Sequence, residues 1–401
     1  MFFAARLPQT RAGYAIILGL LAALGPLCTD LYLPALPDVS QTLHITASSA
    51  QLSLTASLLG LGVGQIFFGP LSDRWGRLNT LLLSLFIMIV ASIACAMSLS
   101  ITQLVCARLI QGIAGAGGIV LSRAIARDQY RGSDLTQFFA LLMMVNGVAP
   151  ILAPVLGGGL LMVVNWRGIF AVLALISVFL FLFSHLQVKE SLPKESRSPG
   201  GLSNSIKAMG LLLKHRQFMG LCLTQGFIIA GMFAYIAASS FVLQDIYHLT
   251  AQQFSYCFAV NGLGLVIAAQ IAAKLSLRHG EWAILKTSLI LAISAATLLF
   301  LISFTHPSLW LVLPVLFITI TVNSMIGTTG TALAMRVVPS SSGGGASALI
   351  GLAMFGLGAV SSPISGLGGS SLMSMTRTIF GCYLIAFITF IVLAGWKTRT
   401  R

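Results

Sequence analysis

Gly69-Pro70-Leu71-Ser72-Asp73-Arg74-Trp75-Gly76-Arg77 is a tight polar run between two apolar stretches, Leu58 to Phe68 and Leu81 to Ala96. One acid and two arginines crowd into nine residues, with glycine and proline to break the chain direction. The simplest structure for such a pattern is a hairpin of two membrane helices whose charges gather at one membrane face. Runs of similar apolar character recur from end to end. About twelve can be placed, each near the ~20 residues that a helix needs to cross a bilayer.

Composition agrees. Charged residues are 8% of the 401 and apolar ones 57%, whereas a soluble domain carries roughly 25% charge. Such a chain cannot cover a surface facing water. In lipid only helices or closed barrels satisfy the backbone, and the apolar runs are continuous rather than alternating, which selects helices. Gln187 to Lys214 interrupts the series with Lys189, Glu190, Pro193, Lys194, Glu195, Arg197, Pro199, Gly200 and Gly201, a linker composition. The predicted fold is therefore an all-α membrane protein of twelve transmembrane helices in two pseudo-symmetric six-helix bundles. The bundles are 1–186 and 217–401, joined by a cytoplasmic linker at 187–216.

The net charge is +14, which in a soluble chain would suggest nucleic acid. Topology explains it better. Of the 23 Lys and Arg, 20 fall in predicted loops or ends on one side, leaving Arg167 and Arg377 opposite and Arg108 inside a helix. The basic side is the cytoplasmic side, so both termini and the linker are expected there, in a bacterial inner membrane. The first apolar run has the basic flank of a signal peptide, but Asp30-Leu31-Tyr32-Leu33-Pro34 follows it in place of a small-residue cleavage site, and it reads as a retained helix. The six cysteines lack C-x-x-C spacing and fit apolar packing better than disulfides or metal.

Two charges fall within the membrane away from its edges. Asp30 lies toward the outer part of the first span and Arg108 in the outer half of the fourth, which runs the other way, so their depths match. A charge in lipid costs a few kcal/mol or more, and such residues commonly have partners and functions. A neighbouring arginine favours the charged carboxylate and apolar burial the neutral one, a balance suited to exchanging protons. A structural ion pair is the alternative. In the fifth span, Pro150 and Pro154 each remove a backbone donor, and Gly157 and Gly158 permit close helix approach. Tyr32, Asn146, Tyr235 and Asn261 are polar residues on predicted spans and the preferred candidates for substrate contact. Helix packing is the competing explanation for each. Asp73, near the expected start of the eleventh span at Ser340 to Ser342, could form a latch, with Arg123 and Arg127 as further partners. The alternative is that these charges only mark the cytoplasmic side.

Several of these segments resemble a known family. Gly69, Asp73, Arg74, Gly76 and Arg77 match the G-x-x-x-D-R-x-G-R-R/K loop of the major facilitator superfamily, with Leu78 departing from its final base. Arg108, Gln111 and Gly112 resemble its R-x-x-Q-G pattern, whose arginine is associated with proton coupling. Asp30-Leu-Tyr32-Leu-Pro34-Ala-Leu-Pro37 is similar to D-M-Y-L-P-A-L-P of the bicyclomycin-resistance/CflA drug exporters. The segments Asn165 to Phe170 and Tyr235 to Gln244 resemble that family too. The fifth span resembles the exporters' G-x-x-x-G-P-x-x-G-G, with Ala153 in place of a glycine. The resemblance implies a drug:proton antiporter with alternating access. Its parts would be a proton site at Asp30 and Arg108, a conformational switch at the Asp73 loop, and a hinge at Pro150 and Pro154. Export of a cell metabolite such as an amino acid or siderophore, and proton-coupled import, remain as alternatives. Some relatives carry a second acid where Ala22 stands, so a two-carboxylate scheme is not expected. No Walker loop, G-x-S-x-G or H-E-x-x-H occurs. The expected partners are a small-molecule substrate, protons and lipid, acting on a monomer, with no cofactor, metal or nucleic acid.

Overall fold

The computed structural model describes residues 11–129, 148–149, 151–193, 197, 210, 212–305, 307–338, 343–367, 369 and 371–395. The described elements are helical. The first half contains α1 (Arg11–Asp30), the short α2 (Leu36–Thr42), α3 (Ala47–Trp75), α4 (Arg77–Ala96), α5 (Ile101–Gln129), α6 (Ile151–Leu160) and α7 (Trp166–Gln187). The second contains α8 (Arg216–Phe241), α9 (Ala251–His279), α10 (Glu281–Ile302), α11 (Leu309–Val337), α12 (Gly343–Ile364) and α13 (Leu372–Thr389). Among the described residues ten helices are long and apolar enough to cross a membrane, and two shorter apolar ones, Ile151–Leu160 and Leu349–Ile364, occupy the fifth and eleventh expected places.

The ends of these helices follow from local chemistry. On the face that carries Asp38, Thr46 accepts from the Ser49 amide and Asn165 from the Arg167 and Gly168 amides, while Thr250 and Gln253 form a reciprocal capping box. Each supplies an acceptor to amides that have no partner within the helix. On the face that carries Asp73 the chain reverses more sharply. Gly76 (φ +97°) and Gly280 (φ +79°) each end one helix and start the next, a backbone state that disfavours a side chain.

Each half packs chiefly within itself. Glycines allow the closest approaches: a side chain at Gly60, Gly64 or Gly112 would collide with the facing backbone where α3 crosses α5. Large apolar side chains line the outside, including Trp310 at 83% exposed and Phe86 and Phe179 at more than half. In water this would be an aggregation surface; against lipid tails it is the expected solvent boundary.

The halves meet most firmly on the Asp38 face. Ser48 Oγ donates to the Pro363 carbonyl (3.3 Å), Gln51 Nε2 to Ala237 (3.2 Å) and Gln244 Nε2 to Pro34 (3.2 Å). Gly157 lies against the Leu31 carbonyl and Gly158 against Ser255 and Ala251 of the other half. Gly157 and Gly158 thus act at a contact between helices, Gly158 directly at the joint between halves. Pro154 is buried within α6. Pro150 and Asn146 lie outside the described residues, as do Ser340, Ser341 and Ser342.

Candidate functional site

Between the halves is an enclosed chamber of ≈ 180 Å³. Asp30 enters it from the end of α1, 8% exposed, with its Oδ1 accepting from Thr29 Oγ1 at 3.1 Å. The opposing wall comes from the second half: Phe233, Tyr235, Phe258, Asn261 and Phe355. Asn261 Nδ2 donates to Tyr235 Oη (2.8 Å), and the Tyr235 ring stacks on Phe258 at 5.7 Å. The arrangement is one carboxyl with its Thr29 hydroxyl and one amide–phenol pair in an otherwise apolar box. Such a box suits a ligand with a large apolar surface and few polar groups. Asp30, Tyr235 and Asn261, far apart in sequence, are brought together here.

Arg108 lies deeper and is fully buried. Its Nη1 donates to the Cys28 carbonyl (2.7 Å) and to Gln111 Oε1 (2.6 Å), and Gln111 is in turn held to Ser92 Oγ at 2.9 Å. The guanidinium also sits 5.0 Å from the Tyr32 ring centre and 5.5 Å from that of Phe170, where the electron-rich ring faces attract a cation. Cys28 is in the last turn of α1, whose carbonyls have no partner further along the helix, so Arg108 caps that helix end. Depth brings Arg108 close to Asp30, as expected, but the hydrogen bonds of the two run to different partners and no ion pair joins them among the described residues. Tyr32 is buried between Phe170, Arg108 and Ser53 (Oη to Oγ 3.1 Å), behind the chamber wall and not in it.

The third cluster is the Asp73 loop. Arg77, nearly buried at the start of α4, reaches Asp73 Oδ1 (2.6 Å) and Ser72 Oγ (2.5 Å) with Nη1, and Asp128 Oδ2 (3.0 Å) with Nε. Arg74, Arg123 and Arg127 are exposed; in this conformation the partner of Asp73 is Arg77. A Cβ on Gly69 would meet nothing within 4 Å among the described residues, whereas one on Gly76 would strike Glu190 and Arg197. Glu190 and Asp128 were not foreseen. Glu190 Oε1 accepts from the amides of Arg77 (2.9 Å) and Leu192 (3.0 Å), a carboxylate on a helix N-terminus, and Ser191 Oγ donates to Asp128 Oδ2 at 3.2 Å. An anion there is favoured by the unpaired amides and the helix dipole. The available signal was rarity: the chain has only nine acids, and an acid just past a span is well placed to meet a basic loop.

Comparison with known proteins follows the same lines. Residues 18–363 match the family model described as Major Facilitator Superfamily. An uncharacterized MFS-type transporter, YdgK, of Bacillus subtilis (strain 168) is 41% identical over 95% of this chain and 95% of its own. A bicyclomycin resistance protein homolog of Haemophilus influenzae is 26% identical over 97% and 98%. Among solved structures, a bacterial homolog of the human lysosomal transporter Spinster covers 96% of both chains with a TM-score of 0.73 at 16% identity. A D-xylose–proton symporter covers 96% of this chain and 100% of its own with a TM-score of 0.72 at 14% identity. The two structures share the fold.

Proposed function

We propose that this chain, which belongs to the major facilitator superfamily, exports small amphipathic compounds, drugs among them, in exchange for protons. The observation that carries the reading is the chamber: a single carboxyl, Asp30, faces an aromatic and aliphatic wall supplied by the other half. The names of relatives, a bicyclomycin resistance protein homolog among them, support the same choice of cargo.

In this reading residues 1–186 and 217–401 rock as two bodies about the chamber, with 187–216 as their connection, and one chain is the working unit. The hydrogen bonds at Ser48, Gln51 and Gln244 close the Asp38 face, and the chamber would communicate with the Asp73 face. Protonation of Asp30 changes the charge of the chamber by one unit. At low dielectric a unit charge is worth several kcal/mol, enough to reverse a balance between two states of access. Through the Cys28 carbonyl Arg108 holds the helix end that carries Asp30, and so orients the carboxyl. When the Asp38 face opens, Asp30 takes a proton from outside; when it closes, the proton leaves toward the cytoplasm and cargo moves the other way in the next swing. Asp73, Arg77 and Asp128 would stabilise one of the two states as a latch.

Asp30→Asn keeps the side-chain shape but cannot release a proton near neutral pH. In proteoliposomes with an imposed pH gradient it should abolish uphill transport while leaving the protein folded. Rates equal to wild type would remove Asp30 from the coupling. The orientation, with both termini in the cytoplasm, has its own test. On a cysteine-free background, a cysteine at Lys189 should be labelled only from the cytoplasm and one at Gln41 only from outside. Labelling of both from one side would refute the arrangement.

A further inference from the structure

Met232 and Leu265 line the enclosed chamber and also an open cleft beside it. The chamber alone, ≈ 180 Å³, is smaller than the about 300–1,000 Å³ of pockets that hold drug-sized ligands. The adjoining cleft has a volume of ≈ 640 Å³. Its far wall is α11, where Ser324, Gly327, Thr328 and Thr331 line the cleft. Their spacings of three and four place them on one helix face, and Thr328 and Thr331 are exposed. The Thr328 hydroxyl donates to the Ser324 carbonyl (2.8 Å) and the Thr331 hydroxyl to Gln225 Oε1 (2.7 Å), which leaves their oxygens free to accept from a ligand, and such a polar stripe is better placed on a cleft beside the chamber than against lipid.

Behind the stripe is Asn323, 2% exposed, on the same wall. One end of its amide accepts from Tyr383 Oη at 2.6 Å, and the other, Nδ2, has no partner among the described residues. The two ends of an amide exchange by a side-chain flip, so in either setting one hydrogen-bonding atom stays unused beside the cleft. Buried polar groups are ordinarily paired, so this atom calls for a ligand group or water. Gly327 completes the opening: a methyl group there would meet nothing within 4 Å, and the cleft reaches the helix backbone.

We infer that this face of α11 is a second subsite of the transport cavity, one that hydrogen-bonds the uncharged polar end (a carbonyl or hydroxyl) of an amphipathic cargo whose apolar end lies in the chamber beside Asp30. The inference rests on the export reading above and adds a division of labour between the halves. The first half contributes the titrating carboxyl, and the second contributes neutral hydrogen bonds that do not depend on the proton cycle. The cargo class is therefore neutral amphipaths carrying an amide, ester or hydroxyl group.

The test uses the purified full chain and two probes: chloramphenicol, neutral with an amide and hydroxyls, and tetraphenylphosphonium, an apolar cation with no hydrogen-bonding group. Ser324→Ala/Thr328→Val removes two hydroxyls, and the Thr328 bond it deletes runs to the Ser324 carbonyl of its own helix. Gly327→Leu projects a side chain into the cleft, where its Cβ would meet nothing within 4 Å among the described residues. Both variants should weaken chloramphenicol binding about tenfold, the double variant through the loss of one or two hydrogen bonds and Gly327→Leu by occupying the subsite, and the double variant should leave tetraphenylphosphonium within about twofold. Unchanged chloramphenicol affinity in both variants, or equal loss of the two probes in the double variant at unchanged melting temperature, would overturn the subsite and leave the export reading standing. A wild-type protein that binds neither probe would overturn the export reading and the subsite with it.

Discussion

The turn at Gly76 and the turn at Gly280 are the same backbone device in two different chemical settings. Each joins two spanning helices at the Asp73 face through a glycine at positive φ. Around Gly76 the space is full: Arg77 is buried and bonded to Asp73, Ser72 and Asp128, and Glu190 caps the next helix. Around Gly280 an added Cβ would meet nothing within 4 Å among the described residues, and the neighbouring ion pair, Glu281 with Arg336, joins a mostly buried acid to a 70% exposed arginine. Similar connections thus carry a buried charged cluster in one half and, at Glu281 and Arg336, a more exposed pair in the other. A buried charge needs a complete set of partners, so the cluster is a feature of that site and not a by-product of the turn.

This contrast can be broken most severely at Arg77. Arg77→Ala leaves Asp73 and Asp128 unpaired and should cost on the order of 2–3 kcal/mol, less than a fully buried pair because Asp73 is 42% exposed. Thermal unfolding in detergent reads it. Arg77→Lys should recover part of the stability but little of the transport rate, since an ammonium cannot bridge both carboxylates with a rigid fork. Full recovery of transport would show that only the charge matters.

Gly76→Ala and Gly280→Ala measure the two settings directly. Both carry the strain of a positive-φ, extended-ψ backbone that is essentially confined to glycine, about 1–3 kcal/mol, but only the first must also displace Glu190 and Arg197. The first should destabilise more, and Glu190→Ala should rescue it in part. Equal losses at the two glycines would mean that the crowding at Gly76 is immaterial. Glu190→Gln keeps the shape and removes the charge on the helix N-terminus, for about 1 kcal/mol that shrinks with added salt. The smallest change is Arg336→Ala, expected to cost less than about 1 kcal/mol because its guanidinium is largely in solvent; a larger loss would make the second loop a latch in its own right.

Much of this was legible beforehand. The Asp73 run and the continuous apolar stretches gave the helical hairpin, and the polar linker at 187–216 marked the division into halves. Asp30, Tyr235 and Asn261 were singled out as polar residues on spans, and they meet in one chamber. Other features were not legible. Matching depth suggested that Arg108 would pair with Asp30, but depth along a helix says nothing of rotation about its axis, and Arg108 turns to the free Cys28 carbonyl and the Tyr32 and Phe170 rings. Tyr32 was a candidate for the cargo and packs behind the wall for the same reason. Glu190 lies 113 residues from Arg77 in a stretch whose composition signals only a linker.

By itself the sequence determined that the chain is a series of apolar membrane helices, which of its predicted loops carry positive charge and where it must turn on glycine at Gly76. These depend on transfer free energy and local backbone sterics, which act residue by residue. Only the tertiary structure decided which partner each buried polar group has. That choice depends on the crossing and rotation of helices distant in the chain, and in the chamber on two halves that meet only when both have folded.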